Sequence, residues 1–127
     1  MARMSRMTDL RAIHGAEVLL CAPEGGPVRT DRDAMDLVAM GLEQAADWVA
    51  VPVERLGDDF FVLSTRVAGK VIQKFVNYRI KLAVVGDIAP YLAASTSLRD
   101  FVYESNRGRH VWFVASLDEL EGRLAPG

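Results

Sequence analysis

The stretch Lys81-Leu82-Ala83-Val84-Val85-Gly86-Asp87 reads KLAVVGD. An unbroken apolar run stopped by glycine and an acid is the pattern of a strand covered on both faces. A strand with one wet face alternates apolar and polar residues instead. Strands buried in this way belong to parallel sheets, so 81–87 needs parallel neighbours. Two further runs qualify: DWVAVPV at 47–53 and HVWFVA at 110–115. Trp48 and Trp112 lie within them and read as core residues.

The segments between these runs carry a helical period. Ala34, Leu37, Val38, Gly41, Leu42 and Ala45 recur at three and four, which predicts a helix over about 32–45 with Asp31 as its N-cap. Val67, Val71, Ile72, Phe75 and Val76 predict a second over 65–78, and Leu98, Phe101 and Val102 a third over 97–105. SLDELEGRL closes the pattern as a helix whose Ser116 and Glu119 fit a capping box. Upstream, 13–22 reads as a strand, APEGGP at 22–27 as a turn, and Val28 to Thr30 as a short hairpin partner. ERLGDDFF is a loop whose Phe60 and Phe61 fold back on the core. In the connection IAPYLAAS, Pro90 argues against helix in the first part. Strands alternating with helices imply right-handed crossovers. The expected fold is α/β: a mixed, mostly parallel sheet of four to five strands with helices packed on it. It occupies one domain over 13–124, after an N-terminal arm at 1–12 expected to be flexible and before a tail at 125–127.

Composition excludes several classes of function. The chain has 127 residues, 50% of them hydrophobic and 25% charged, the mixture of one globular domain. A net charge of -2, and no aromatic series among the basic residues, argue against nucleic acid as a partner. The single cysteine, Cys21, sits in the apolar run EVLLCA and reads as a buried small hydrophobe rather than a reactive thiol. His14 and His110 are too few for a histidine metal site, and no C-x-x-C or H-x-x-H occurs, so no metal or cofactor is implied. The arginine-bearing N-terminus has no apolar leader and no run reaches membrane-spanning length, which points to the cytoplasm.

In parallel sheets ligands gather beyond the carboxyl ends of the strands. That places Glu54 and Asp87 as the catalytic candidates. Arg55, Ser64 and Thr65 are the candidates for an anion, the last two where helix amides would be free. Ser116 leaves the same edge. Arg66, Lys70 and Lys74 lie at i, i+4 and i+8 with no acid between 66 and 81, whereas residues 31–59 hold eight acids against two arginines. This basic stripe is a solvated helix face or a docking surface for an acidic partner or a second copy of the chain. The segment ESNRGRH at 104–110 reads as a structural turn. There Asn106 or Gly108 takes the left-handed conformation that ends a helix, and a buried Glu104–Arg107 pair locks it. A strand of about six residues spans roughly 20 Å, so this corner and Asp87 are expected at opposite rims.

The strings QKFVNYR and ESNRGRHVWF, with ADWVAVPVERLGDDFF, closely resemble a bacterial family catalogued as domain of unknown function 4180, over roughly 13–124. That resemblance brings no activity or catalytic residue. The order of helices and strands is also similar to the STAS fold of anti-sigma-factor antagonists. That similarity implies a phosphorylatable serine where Ser64 or Thr65 stands, although FFVLSTRVAG departs from the usual Asp-Ser-Gly context. Two functions are therefore expected. One is a non-catalytic regulatory or interaction module, a homodimer among the options. The other is a small enzyme or ligand-binding domain using Glu54, Arg55 and Asp87.

Overall fold

In the computed structural model, which describes residues 8–126, KLAVVGD lies inside the sheet as its pattern requires. The strands are β1 (Thr8–Ile13), β2 (Ala16–Cys21), β3 (Trp48–Pro52), β4 (Lys81–Val85) and β5 (Val111–Val114). The helices are α1 (Asp31–Glu43), α2 (Gly57–Phe60), α3 (Val67–Asn77), α4 (Ala89–Ala94), α5 (Thr96–Arg107) and α6 (Leu117–Leu124). Short 3-10 turns occupy Val53–Arg55 and Leu63–Thr65.

The sheet order is β1-β2-β3-β4-β5, the order of the sequence. β2 through β5 are parallel, with Ala50 opposite Ala83 and Val84 opposite Phe113, and β1 is antiparallel to β2. Each crossover steps one strand in the same direction. Right-handed connections then place α1, α3 and α5 on a single face. Leu37, Val71 and Leu98 of these helices pack there on Leu19, Val49, Leu82 and Val111. Phe60 and Phe61 close that core from the β3–α3 connection, as expected, and Phe61 stacks on Tyr91 at 4.3 Å.

Among the described residues the opposite face has one helix. Val18, Trp48, Ala50, Ala83, Trp112 and Val114 form a second, smaller core with Leu120 of α6. Both tryptophans point to this side, with ring centroids 4.4 Å apart. Wide rings cover sheet area that an eight-residue helix cannot. Arg123 of α6 lies 4.1 Å over the Trp112 ring, and Lys81 lies 5.6 Å over Trp48.

The hairpin differs from the expected one. β1 and β2 turn at His14–Gly15, both with positive φ (49° and 87°), the backbone of a tight two-residue hairpin. Residues 8–12, expected in the N-terminal arm, are therefore strand, while residues 1–7 lie outside the described residues. The expected partner strand at 28–30 is absent. Val28 is instead buried and donates its N–H to the Arg55 carbonyl (2.7 Å).

Thr30, not Asp31, caps α1. Its Oγ1 accepts the Asp33 N–H (3.1 Å) while Asp33 Oδ2 accepts the N–H groups of Thr30 and Arg29. These backbone donors, Arg29 foremost, hold the Asp33 carboxyl below its ordinary range. At α6, Ser116 Oγ accepts the Glu119 N–H, and Glu119 accepts from Ala115 rather than from the cap residue. Pro90 falls in the first turn of α4, where a missing N–H costs nothing.

Thr30→Ala is expected to lower unfolding free energy by about 1 kcal/mol in urea titration, the usual cost of a lost N-cap. In the native chain the Asp33 half of the box holds above the ordinary carboxylate range and fails as pH falls through the lowered Asp33 pKa. The gap between Asp33→Ala and wild type should therefore narrow in acid.

Candidate functional site

Four segments leave the carboxyl edge of the parallel strands, and the polar residues placed there do not converge on one point. Arg55 turns toward the 22–27 turn. Its Nε donates to the Gly26 carbonyl (2.8 Å) and its guanidinium lies against Gly25. With its carbonyl on Val28, Arg55 braces the path from β2 to α1. Cys21, beside it, is buried. Burial pushes its thiol up to about 11, partly offset by Arg55, so the sulfur stays protonated at neutral pH and is no nucleophile.

Glu54 is exposed and lines a cavity of about 330 Å³ with Leu20, Cys21, Ala50, Val85 and Leu117. Asp87 belongs to a second cavity of about 280 Å³, lined also by Asn106, Val102, Phe113 and Glu119. Gly86 borders both. Its φ of +144° and the close approach of Val53, whose Cγ2 would stand 2.7 Å from an added Cβ, leave room for glycine alone.

Asp87 and Asn106 thus share a cavity, where opposite rims were expected. The reason is the shortness of β5 and the direction of a helical side chain. Four residues span only about 13 Å. α5 runs on through Arg107, and Asn106 reaches back beside the third residue of β5. Its Oδ1 accepts the Phe113 N–H (2.7 Å) and its Nδ2 donates to the Phe113 carbonyl (3.2 Å). The side-chain amide takes the place of a neighbouring strand's peptide.

The polar groups around this cavity are all engaged by backbone. Asp87 Oδ1 accepts the Ala89 N–H (2.9 Å) and opens α4, Glu119 Oε1 accepts the Ala115 N–H (2.7 Å), and Asn106 holds Phe113. They build the rim. Among the described residues no three His, Cys, Asp or Glu side chains gather as a metal-binding group.

The contacts that hold ESNRGRH differ from the expected ones. Gly108 has φ -90°, outside the left-handed region, and Asn106 is helical. The Glu104–Arg107 pair, at 3.8 Å, is exposed rather than buried, so water screens it and it cannot lock the turn. The lock is a clasp between three elements. Trp112 Nε1 donates to the Gly108 carbonyl (2.8 Å), and Arg123 donates to the Asn106 carbonyl (2.7 Å) while stacked on Trp112. Nothing in the local sequence marks Asn106 or Arg123 for this. The partner of each lies on a different element.

Ser64 and Thr65 lie on the 3-10 turn ahead of α3 rather than at free helix amides. Thr65 Oγ1 is 2.7 Å and 2.8 Å from the carbonyls of Asp59 and Val62, and accepts from the Val67 N–H. Ser64 is exposed on the wall of a surface hollow shared with Phe61, Tyr91 and Ser95. Tyr91 donates to Asp58 (2.6 Å), and that bond raises its pKa. Arg66, Lys70 and Lys74 line one open groove of about 610 Å³ with Leu63, Gln73, Asn77 and Phe101. Asp31, the first residue of α1, also lines it, but none of the three cations has an acid within 4.0 Å among the described residues.

A family model described as domain of unknown function (DUF4180) matches residues 13–124. The chain belongs to the DUF4180 family. The match runs from the last residue of β1 through α6, so the DUF4180 unit holds all four parallel strands and the Asn106 clasp. No curated protein and no solved structure matches this DUF4180 chain.

Asn106→Ala removes the bonds to both backbone groups of Phe113 and is expected to cost about 1–3 kcal/mol in urea unfolding. Asn106→Asp, which keeps an acceptor for the Phe113 N–H but sets a carboxylate oxygen against the Phe113 carbonyl, should be destabilised as well. Equal stability of all three proteins would show that the amide does not hold the edge.

Proposed function

We propose that this DUF4180 chain is a non-catalytic interaction module that docks an acidic partner on the outer face of α3. The carrying observation is the groove of about 610 Å³ in which Arg66, Lys70 and Lys74, with no acid within 4.0 Å among the described residues, stand beside the apolar surface of Leu63 and Phe101, with Asp31 at its border. Charge steers such an encounter, and the apolar floor supplies contact area. The polar groups of the carboxyl edge support the same reading from the other side. Asp87, Glu119 and Arg55 each bond the backbone of their own connection, and of the edge candidates Glu54 alone makes no such bond among the described residues. A hairpin followed by strand–helix units is in keeping with a STAS-like module, whose docking element would be the 54–70 loop and helix. The setting is cytoplasmic in this reading. No helix among the described residues is long and apolar enough to cross a membrane.

Reversal of charge tests it. A partner purified on the wild-type chain should bind more weakly as salt rises, and about tenfold or more weaker to Lys70→Glu/Lys74→Glu with the fold intact by circular dichroism. Undiminished binding to that variant would end the reading.

A second reading rests on the cavity of about 330 Å³ beside Glu54, which lies where parallel sheets hold ligands. It would take a small apolar molecule bearing a cation for Glu54. Ala50→Leu fills that space, so fragment binding seen by ligand-detected NMR should vanish in this variant. Fragments that bind the filled variant equally well lie elsewhere and remove the reading.

A further inference from the structure

The two edges of the sheet are treated differently. At β5 the Asn106 amide occupies the N–H and C=O of Phe113 that face outward. At β1, among the described residues, nothing pairs with the outer side. Natural edges are blunted by proline, lysine, a bulge or a cover. β1 reads TDLRAI and pairs with β2 residue for residue, with no proline, lysine, bulge or covering element among the described residues; its two charges, Asp9 and Arg11, are of opposite sign.

The tight turn at His14–Gly15 fixes which backbone groups point away. In a two-residue hairpin the flanking residues, Ile13 and Ala16, form a hydrogen-bonded pair, and pairs alternate from there. Arg11–Val18 and Asp9–Leu20 are bonded inward, so Thr8, Leu10 and Ala12 direct their N–H and C=O outward.

We propose that this edge pairs with β1 of a second copy of the chain, antiparallel, about a two-fold axis at Leu10. Outward groups must meet outward groups, which limits a symmetric pairing to alternate registers. With the axis at Leu10, Leu10 faces Leu10 of the second copy, Thr8 faces Ala12, and Asp9 and Arg11 each face the opposite charge. Moving the axis to Asp9 sets the two Asp9 carboxylates against each other, and moving it to Arg11 sets the two guanidinium groups together. Like charges directly opposite are unfavourable and unlike charges favourable, so the Asp-Leu-Arg order selects one register. Leu10, 37% exposed on the helical side of the sheet, gains an apolar neighbour. Asp9 and Arg11, now 3.8 Å apart within one exposed strand, exchange that pair for two between copies. The product is one continuous sheet built from two five-stranded halves.

Sedimentation velocity across a dilution series tests the pairing. Wild type should sediment as a dimer that dissociates on dilution. Asp9→Arg and Arg11→Asp should each weaken self-association by about tenfold or more, since each turns two favourable pairs into repulsive ones. Mixed together, the two single variants should form a heterodimer, and the double exchange Asp9→Arg/Arg11→Asp should restore the homodimer. These substitutions lie on an exposed strand, and β1–β2 amide exchange reports that the hairpin is retained. A wild-type chain that stays monomeric at every concentration overturns the proposal. So does a dimer that either single exchange leaves unchanged, or single variants that fail to associate when mixed.

Discussion

One geometric constraint shapes the whole molecule: consecutive strands lie side by side, and every parallel crossover has the same hand. Helices that connect strands in a constant direction accumulate on one side. α1, α3 and α5 therefore make a full layer over Leu19, Val49, Leu82 and Val111, and none of them can reach the other side. The second face has to be closed by other means. Trp48 and Trp112 spread over it, and α6 fixes them with Leu120 and Arg123. A strand order that never reverses also has no topological switch point, the crevice where doubly wound sheets bind ligands. At the carboxyl edge Arg55, Asp87 and Glu119 bond the backbone of their own connections.

The Asn106 clasp ties the two layers together. One residue satisfies the exposed edge of β5 with its side chain and receives Arg123 on its carbonyl. The same Arg123 covers Trp112, whose ring nitrogen reaches back to the end of α5. A polar segment that looks suited to chemistry is used to join a helix from one face, the last strand, and a helix from the other.

Much of the architecture was legible in the sequence, and the reason is physical. β3, β4 and β5 are buried on both faces and must be apolar throughout, so each stands out as a run. The crossover helices bury one stripe, which leaves a clear period. The hairpin was hidden because His14–Gly15 lacks the usual Asn-Gly or Asp-Gly turn chemistry, and β1 is too exposed to show as an apolar run. α4 was obscured by Pro90, a helix breaker everywhere but the first turn. At the edge, sequence located Glu54, Arg55 and Asp87 on the correct rim. The direction of Arg55 depends on Gly25 and Gly26, and the turn at Gly86 on Val53, contacts that no local pattern records. Asp87 and Asn106 stand closer together than strand length alone implies, because the direction of the Asn106 side chain decides the distance.

The unreversed strand order also bears on how the chain assembles. Each strand after the first finds its partner in the strand just made, so contacts stay short in sequence and the intervening loops close at modest entropic cost. On the ribosome the helical layer grows outward one unit at a time. The tryptophan side is not finished in this stepwise manner. It is covered by Leu117–Leu124, which follows β5 in sequence, so this face can close only after the strands it covers are in place.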